Sequence, residues 1–189
     1  MMPEEELARA QLRARQGAGA RYDDPAAPHD DLALARRGTA YFARLLANLH
    51  DRQLDDLSAT PGLGRRHIIA QVGLEARLLA EAVASVRTAQ GEALAFDIDP
   101  TLGEVEFTAT LPSQALRNLF SHSEVHLNVE WRDLASDGWA AAVIDRTGKH
   151  VSIAGTPRRR ALSLWQRAFQ LRAGARQADF PTGLGEFDV

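Results

Sequence analysis

The chain has no cysteine. Disulfides, a cysteine nucleophile and cysteine-ligated zinc are therefore excluded, and any thiol chemistry would need a thiol supplied as a small molecule. No apolar run approaches the roughly 20 residues that a membrane helix needs, so no membrane partner is expected. A global basic excess is missing too: 22 Lys and Arg stand against 25 Asp and Glu, a net charge of −3. Nucleic acid is not an expected partner. The opening residues, MMPEEELARA, lack the basic start and apolar centre of a signal peptide, which makes a cytoplasmic location the expectation. There is no P-loop, no Gly-rich dinucleotide fingerprint and no convincing Ser-His-Asp order.

What is present is helix. The 189 residues, 45 % of them hydrophobic, suit one domain with a sizeable core. Residues 3–16 read as a helix and residues 17–30, rich in Gly, Pro and Asp, as a linker. From Asp31, the residues Leu34, Tyr41, Phe42, Leu45, Leu46 and Leu49 form one apolar stripe. Pro61-Gly62-Leu63-Gly64 interrupts the pattern. A second helix then spans about Arg65 to Thr88, with Ile68, Ile69, Val72, Ala76, Leu79, Val83 and Val86 inward. A third spans about Ser113 to Leu134 on Leu116, Leu119, Phe120, Leu127 and Trp131. A fourth begins at Thr156-Pro157 and runs to about Ala173, where Gly174 ends it. Before it, residues 140–144 and 149–153 flank Asp145-Arg146-Thr147-Gly148 as a small hairpin. The last 15 residues carry turn formers and a few exposed apolar side chains. Residues 92–111 are ambiguous: Val105, Phe107 and Ala109 alternate with polar neighbours, as in a strand.

Four amphipathic helices need partners for their stripes, and mutual packing supplies them. Four segments sharpen this: RRGTAYFARLLANL (36–49), PGLGRRHIIAQVG (61–73), ATLPSQALRNLFSHSEVHLNVEWRDL (109–134) and LWQRAFQL (164–171). Together they resemble the thiol (mycothiol or glutathione)-dependent maleylpyruvate isomerases of the DinB-like superfamily. The resemblance implies a mainly α fold, a DinB-like four-helix bundle with a small β-hairpin before the last helix. It also argues for a short helix within 92–111. The implied domain layout is an N-terminal helix and linker at 1–30, the bundle at 31–175 and a tail at 176–189, with the family's C-terminal domain absent. One departure is local: Leu63 and Gly64 stand where the family usually has Trp-Thr.

The family's scheme is a divalent metal, usually zinc, held by a His on helix two and a Glu and a His four residues apart on helix four. A low-molecular-weight thiol adds to the substrate double bond and permits its rotation. The corresponding positions here are Gln71, Ser163 and Arg167. Gln is a poor zinc ligand, Ser a weak one, and a protonated guanidinium cannot ligate. A family arginine tied to catalysis aligns with Thr101. The resemblance therefore implies that neither metal nor other cofactor is bound. His67, Gln71 and Glu75 form an i, i+4, i+8 row on helix two, facing Ser163 and Arg167. Arg167 is expected to fill the former metal position and to pair with Glu75 or Gln71. That gives a binding pocket of Gln71, Glu75, Ser163, Arg167 and Thr101, either a structural polar plug or a site for a small carboxylate.

Other residues compete for attention. His122 and His126 have zinc-like spacing, but Glu124 between them points to a different face, so a structural role beside Glu130 and Trp131 is favoured. Arg158, Arg159 and Arg160, in the first turn of helix four, read as solvated arginines. Trp131, Trp139 and Trp165 read as core. Three functions remain open. The first is a non-catalytic small-molecule-binding or interaction protein, with a homodimer among its states. The second is a thiol-dependent isomerase or thiol transferase that works through other residues, with His67, His122 and His126 as acid–base candidates. The third is a partner subunit of an active paralogue.

Overall fold

The computed structural model describes residues 22–88 and 95–184; the helix expected over 3–16 lies outside the described residues. Helix α1 (His29–Ala47) turns Leu32, Ala35, Gly38, Phe42, Leu45 and Leu46 inward at intervals of three and four. Helix α2 (Arg65–Thr88) buries Ile68, Ile69, Val72, Ala76, Leu79 and Val83 on one side. Downstream come a two-residue strand β1 (Ala95–Phe96), helix α3 (Leu102–Ala109), the long helix α4 (Ser113–Asp133) and a single turn α5 (Ser136–Trp139). The hairpin β2 (Ala142–Asp145) and β3 (His150–Ser152) leads into helix α6 (Thr156–Gln170). Helix α2 packs chiefly on α4, and α1 on α6, closing the four-helix bundle around one core. Among the described residues no helix is long and apolar enough to cross a membrane.

Close approach of α1 to α6 depends on Gly38. A β-carbon there would lie 3.0 Å from the Trp165 indole nitrogen and 3.1 Å from Leu164 Cβ. Arginines seal the helix ends. The Arg117 guanidinium donates to the carbonyls of Leu46 and Leu49, at 2.7 and 2.6 Å, just where α1 stops. Arg65, in the first turn of α2, donates to Leu171 and Arg172 carbonyls at 2.9 and 2.7 Å beyond α6. Carbonyls at and just past the end of a helix have no further turn to bond them, so a cation there serves hydrogen bonding and the helix dipole together.

The ambiguous stretch is helical over Leu102–Ala109. Val105 and Ala109, four apart, are buried, whereas Phe107 is 73 % exposed. The alternation in sequence is incidental, because only a helical period puts Val105, Thr108 and Ala109 on one side. Strand β1 was not anticipated; two residues are too few for a period-two signal, and it exists by pairing in parallel with β2. The expected hairpin is present, with β2 and β3 antiparallel and Gly148 at φ 86° in its turn. Asp145 accepts hydrogen bonds from the Thr147 and Lys149 amides at 2.9 Å each, fixing that turn.

The described parts of both flanks pack against the bundle. In the described part of the tail Leu184 is buried, and Phe180 meets Trp165 edge-on with ring centroids 5.4 Å apart, while Ala178 is exposed. The tail is drawn in because the aromatic edge of α6 would otherwise face water. The described end of the linker is also anchored, since both Asp23 oxygens take hydrogen bonds from Arg36 at 2.6 and 2.7 Å. All three tryptophans are buried, as expected of core residues.

Candidate functional site

Helix periodicity assembles the site. On α2, Gln71 and Glu75 are one turn apart. On the facing side of α6, Arg159, Ser163 and Arg167 repeat at intervals of four. With Asp99 from the loop between β1 and α3, these six line a cavity of about 210 Å³. The three positions that the resemblance assigns to metal ligands, Gln71, Ser163 and Arg167, are thus brought together at one cavity.

Behind this cavity lies an ion cluster that unites all four long helices. Arg160 on α6 is fully buried. One terminal nitrogen donates to Glu75 Oε2 at 2.6 Å; the other donates to the Val72 carbonyl at 2.8 Å and to Glu124 on α4. The Ser163 hydroxyl donates to the same Glu75 oxygen. On the far side, Thr39 of α1 donates to the second oxygen of Glu124 at 3.0 Å. Burial by itself disfavours the guanidinium charge, but Glu124 and Glu75 more than offset it, and the Arg160 pKa lies above the ordinary arginine value. The expectation that Arg160 is solvated is therefore corrected. Its helical phase is the reason: residues 160 and 161 lie on the line of Leu164, Trp165 and Ala168, all of them buried. The signal was available in the sequence, as were Glu75 and Glu124 on the apolar phases of their own helices.

Arg159 and Arg158 are not free cations either. Arg159 pairs with Asp99, and Arg158 lies 3.6 Å from Asp31.

Arg167 also departs from expectation. It is not hydrogen-bonded to Glu75 or Gln71; it donates from one terminal nitrogen to Gln170 Oε1 at 2.5 Å. Glu75 instead takes its bonds from Arg160 and Ser163, both on Oε2. Burial pulls the Arg167 pKa below the ordinary arginine value, against the pull of Glu75 and Asp99 nearby. Its Nε, the Nε of Arg159 and the Oε1 of Gln71 are buried and without hydrogen-bond partners among the described residues.

The remaining candidates are scattered. His67 accepts a hydrogen bond from the Gly64 amide at 3.2 Å, within the first turn of its own helix. His122 is exposed, and His126 is half-exposed with Nε2 3.4 Å from Glu130. Neither reaches the cavity. Thr101 sits beside the cavity loop, but its side chain caps α3: its hydroxyl accepts from the Glu104 amide at 3.2 Å, and Glu104 accepts from the Thr101 amide at 2.8 Å. No three His, Asp or Glu side chains are grouped to hold a metal ion among the described residues.

The family model for the mycothiol maleylpyruvate isomerase N-terminal domain matches residues 35–172. The chain belongs to that family. Its fold is that of a solved mycothiol-dependent maleylpyruvate isomerase, with a TM-score of 0.74 and 29 % sequence identity over 82 % of this chain. A crystal structure of a histidine-to-alanine mutant of that isomerase matches equally well, with the same TM-score, identity and coverage. The chain spans 65 % of the length of each solved isomerase. No curated protein matches it. Family membership accounts for the bundle, the short helix before α4 and the hairpin before α6.

Proposed function

We propose that this maleylpyruvate-isomerase-like protein does not run the family's metal-dependent chemistry and instead binds a small molecule in the cavity between α2 and α6. The observation that carries this is the Arg160 cluster: the one carboxylate of α2 in the cavity wall, Glu75, is bonded to a buried guanidinium. The donor set does not suit zinc. Gln71 offers a weak amide oxygen, Ser163 spends its hydroxyl proton on Glu75, and Arg167 brings a second positive charge. A divalent ion placed among them would face Arg159 and Arg167 at the wall and Arg160 behind it, with repulsion rather than ligation from each.

The test has two arms. Metal analysis of the purified full-length protein is expected to find no stoichiometric zinc, and an isomerase assay on maleylpyruvate with mycothiol or glutathione is expected to find no turnover. Stoichiometric zinc, or thiol-dependent isomerisation, would overturn the proposal in favour of a working enzyme of the family.

A further inference from the structure

Residues that line the cavity hold buried polar atoms that the described residues leave unmatched. Of the buried side-chain polar atoms without partners among the described residues, three belong to residues of this one cavity: Gln71 Oε1, Arg159 Nε and Arg167 Nε. Among the described residues Gln71 makes no side-chain hydrogen bond, and Arg167 makes one, to a neutral amide. A buried polar atom without a partner carries a desolvation cost, which a complementary ligand recovers once a side-chain rotation turns that atom to the cavity. The two groups ask for different things. Arg167 is a donor only, and its planar fork matches a carboxylate. Gln71 Oε1 is an acceptor, and the broad rotation of a Gln amide lets a small movement present it. At about 210 Å³ the cavity is smaller than the roughly 300–1,000 Å³ typical of drug-sized ligands.

We infer that this cavity takes a small carboxylate with a hydrogen-bond donor on the adjacent carbon, a 2-hydroxy or a 2-amino acid. The carboxylate lies on Arg167, and the neighbouring hydroxyl or ammonium donates to Gln71. Asp99 in the same wall is paired with Arg159, and Glu75 shares Arg160 with Glu124, so Arg167 is the cation left to meet the ligand's acid group. The inference rests on the functional reading above, in which these residues hold no metal ion.

Calorimetric titration of the full chain, first treated with chelator, distinguishes the cases. The probes are lactate, alanine, propionate and inorganic phosphate. Lactate or alanine is expected to bind at least about 5-fold more tightly than propionate, the worth of one net hydrogen bond; which of the two binds better separates the hydroxy from the amino class. Arg167→Met is expected to abolish binding, and Arg167→Lys to weaken it about 10-fold while keeping the order of ligands. Gln71→Met is expected to erase the preference over propionate and to leave the weak carboxylate binding in place. Failure of every probe to bind at millimolar concentration would overturn the inference. So would a preference for phosphate, binding that survives Arg167→Met in a folded variant, or a preference that survives Gln71→Met. Zinc found before chelation would instead overturn the functional reading on which the inference rests, so the two failures are separable.

Discussion

Arg160 reaches Glu75 across the α2–α6 contact at 2.6 Å while its other terminal nitrogen holds Glu124 on α4. One guanidinium thereby ties three of the four long helices at the centre of the bundle, and Thr39 brings in the fourth through Glu124. The same contact occupies the carboxylate nearest the cavity, so the architecture of the core and the chemistry of the site are decided by one side chain. Arg160→Met keeps much of the volume and removes the charge. It leaves two buried carboxylates unpaired, which is expected to cost about 3–5 kcal/mol in urea unfolding. The triple variant Arg160→Met/Glu75→Gln/Glu124→Gln removes the charges together and is expected to recover most of that loss. A triple variant as unstable as the single one would show that charge compensation is not what Arg160 supplies.

Gly38 is expected to resist even the smallest enlargement. A methyl group at this position would press on Leu164 Cβ at 3.1 Å and on the Trp165 ring. Both belong to α6, which also carries Arg160, Ser163 and Arg167. Gly38→Ala is expected to destabilise the protein by about 1–3 kcal/mol through overpacking, in spite of the better helix propensity of alanine. Thermal unfolding measures this, and a stabilised variant would contradict the close α1–α6 approach.

Most of the fold was legible in the sequence because it rests on periodicity. Ile68, Val72, Ala76, Leu79 and Val83 announce α2, and Leu116, Phe120, Leu127 and Trp131 announce α4. The two-residue strand β1 was not legible, because its existence depends on the edge that β2 offers and not on its own pattern. The cavity was read from Gln71, Ser163 and Arg167, which follow from spacing and resemblance. Arg160 was missed because a run of three arginines in a first turn reads as a solvated face. The phase of Leu164 and Trp165 outweighs that composition, and two carboxylates on other helices supply the partners that sequence proximity cannot reveal. Thr101 illustrates the opposite case: the resemblance placed it in the pocket, but Glu104 three residues on makes it a helix cap.

Asp23 makes acid stability a readout of how the linker end is held. Hydrogen bonding to Arg36 is the largest influence on its carboxyl and holds its pKa below the usual 3.8, against a smaller contribution from burial. A depressed folded pKa means that the unfolded chain binds the proton more readily. The stabilisation is therefore complete above the unfolded value near 3.8 and fades as pH falls through the lower folded value. Asp23→Asn is expected to be less stable than the parent at neutral pH, by no more than about 1 kcal/mol because Arg36 is more than a third exposed. The two proteins are expected to converge as pH falls through that lower folded value, in urea titrations at fixed ionic strength. A difference that did not shrink as pH fell below the unfolded value near 3.8 would mean that the Asp23–Arg36 pair contributes nothing through its charge.

Thr156 tests how the hairpin is joined to the start of α6. Its hydroxyl accepts from the Trp131 indole at 3.1 Å and donates to the Ile153 carbonyl at 2.7 Å, all within the core. Thr156→Val preserves shape but strands a buried N–H and removes one bond from a buried carbonyl. The expected loss is about 1–3 kcal/mol. Trp131→Phe/Thr156→Val removes both partners of the first bond, so the two substitutions should couple: the double variant is expected to lose less stability than the sum of the singles. Additive losses would show that the indole–hydroxyl bond carries no stability of its own, and that the start of α6, with Arg160 one turn further on, is fixed by packing alone.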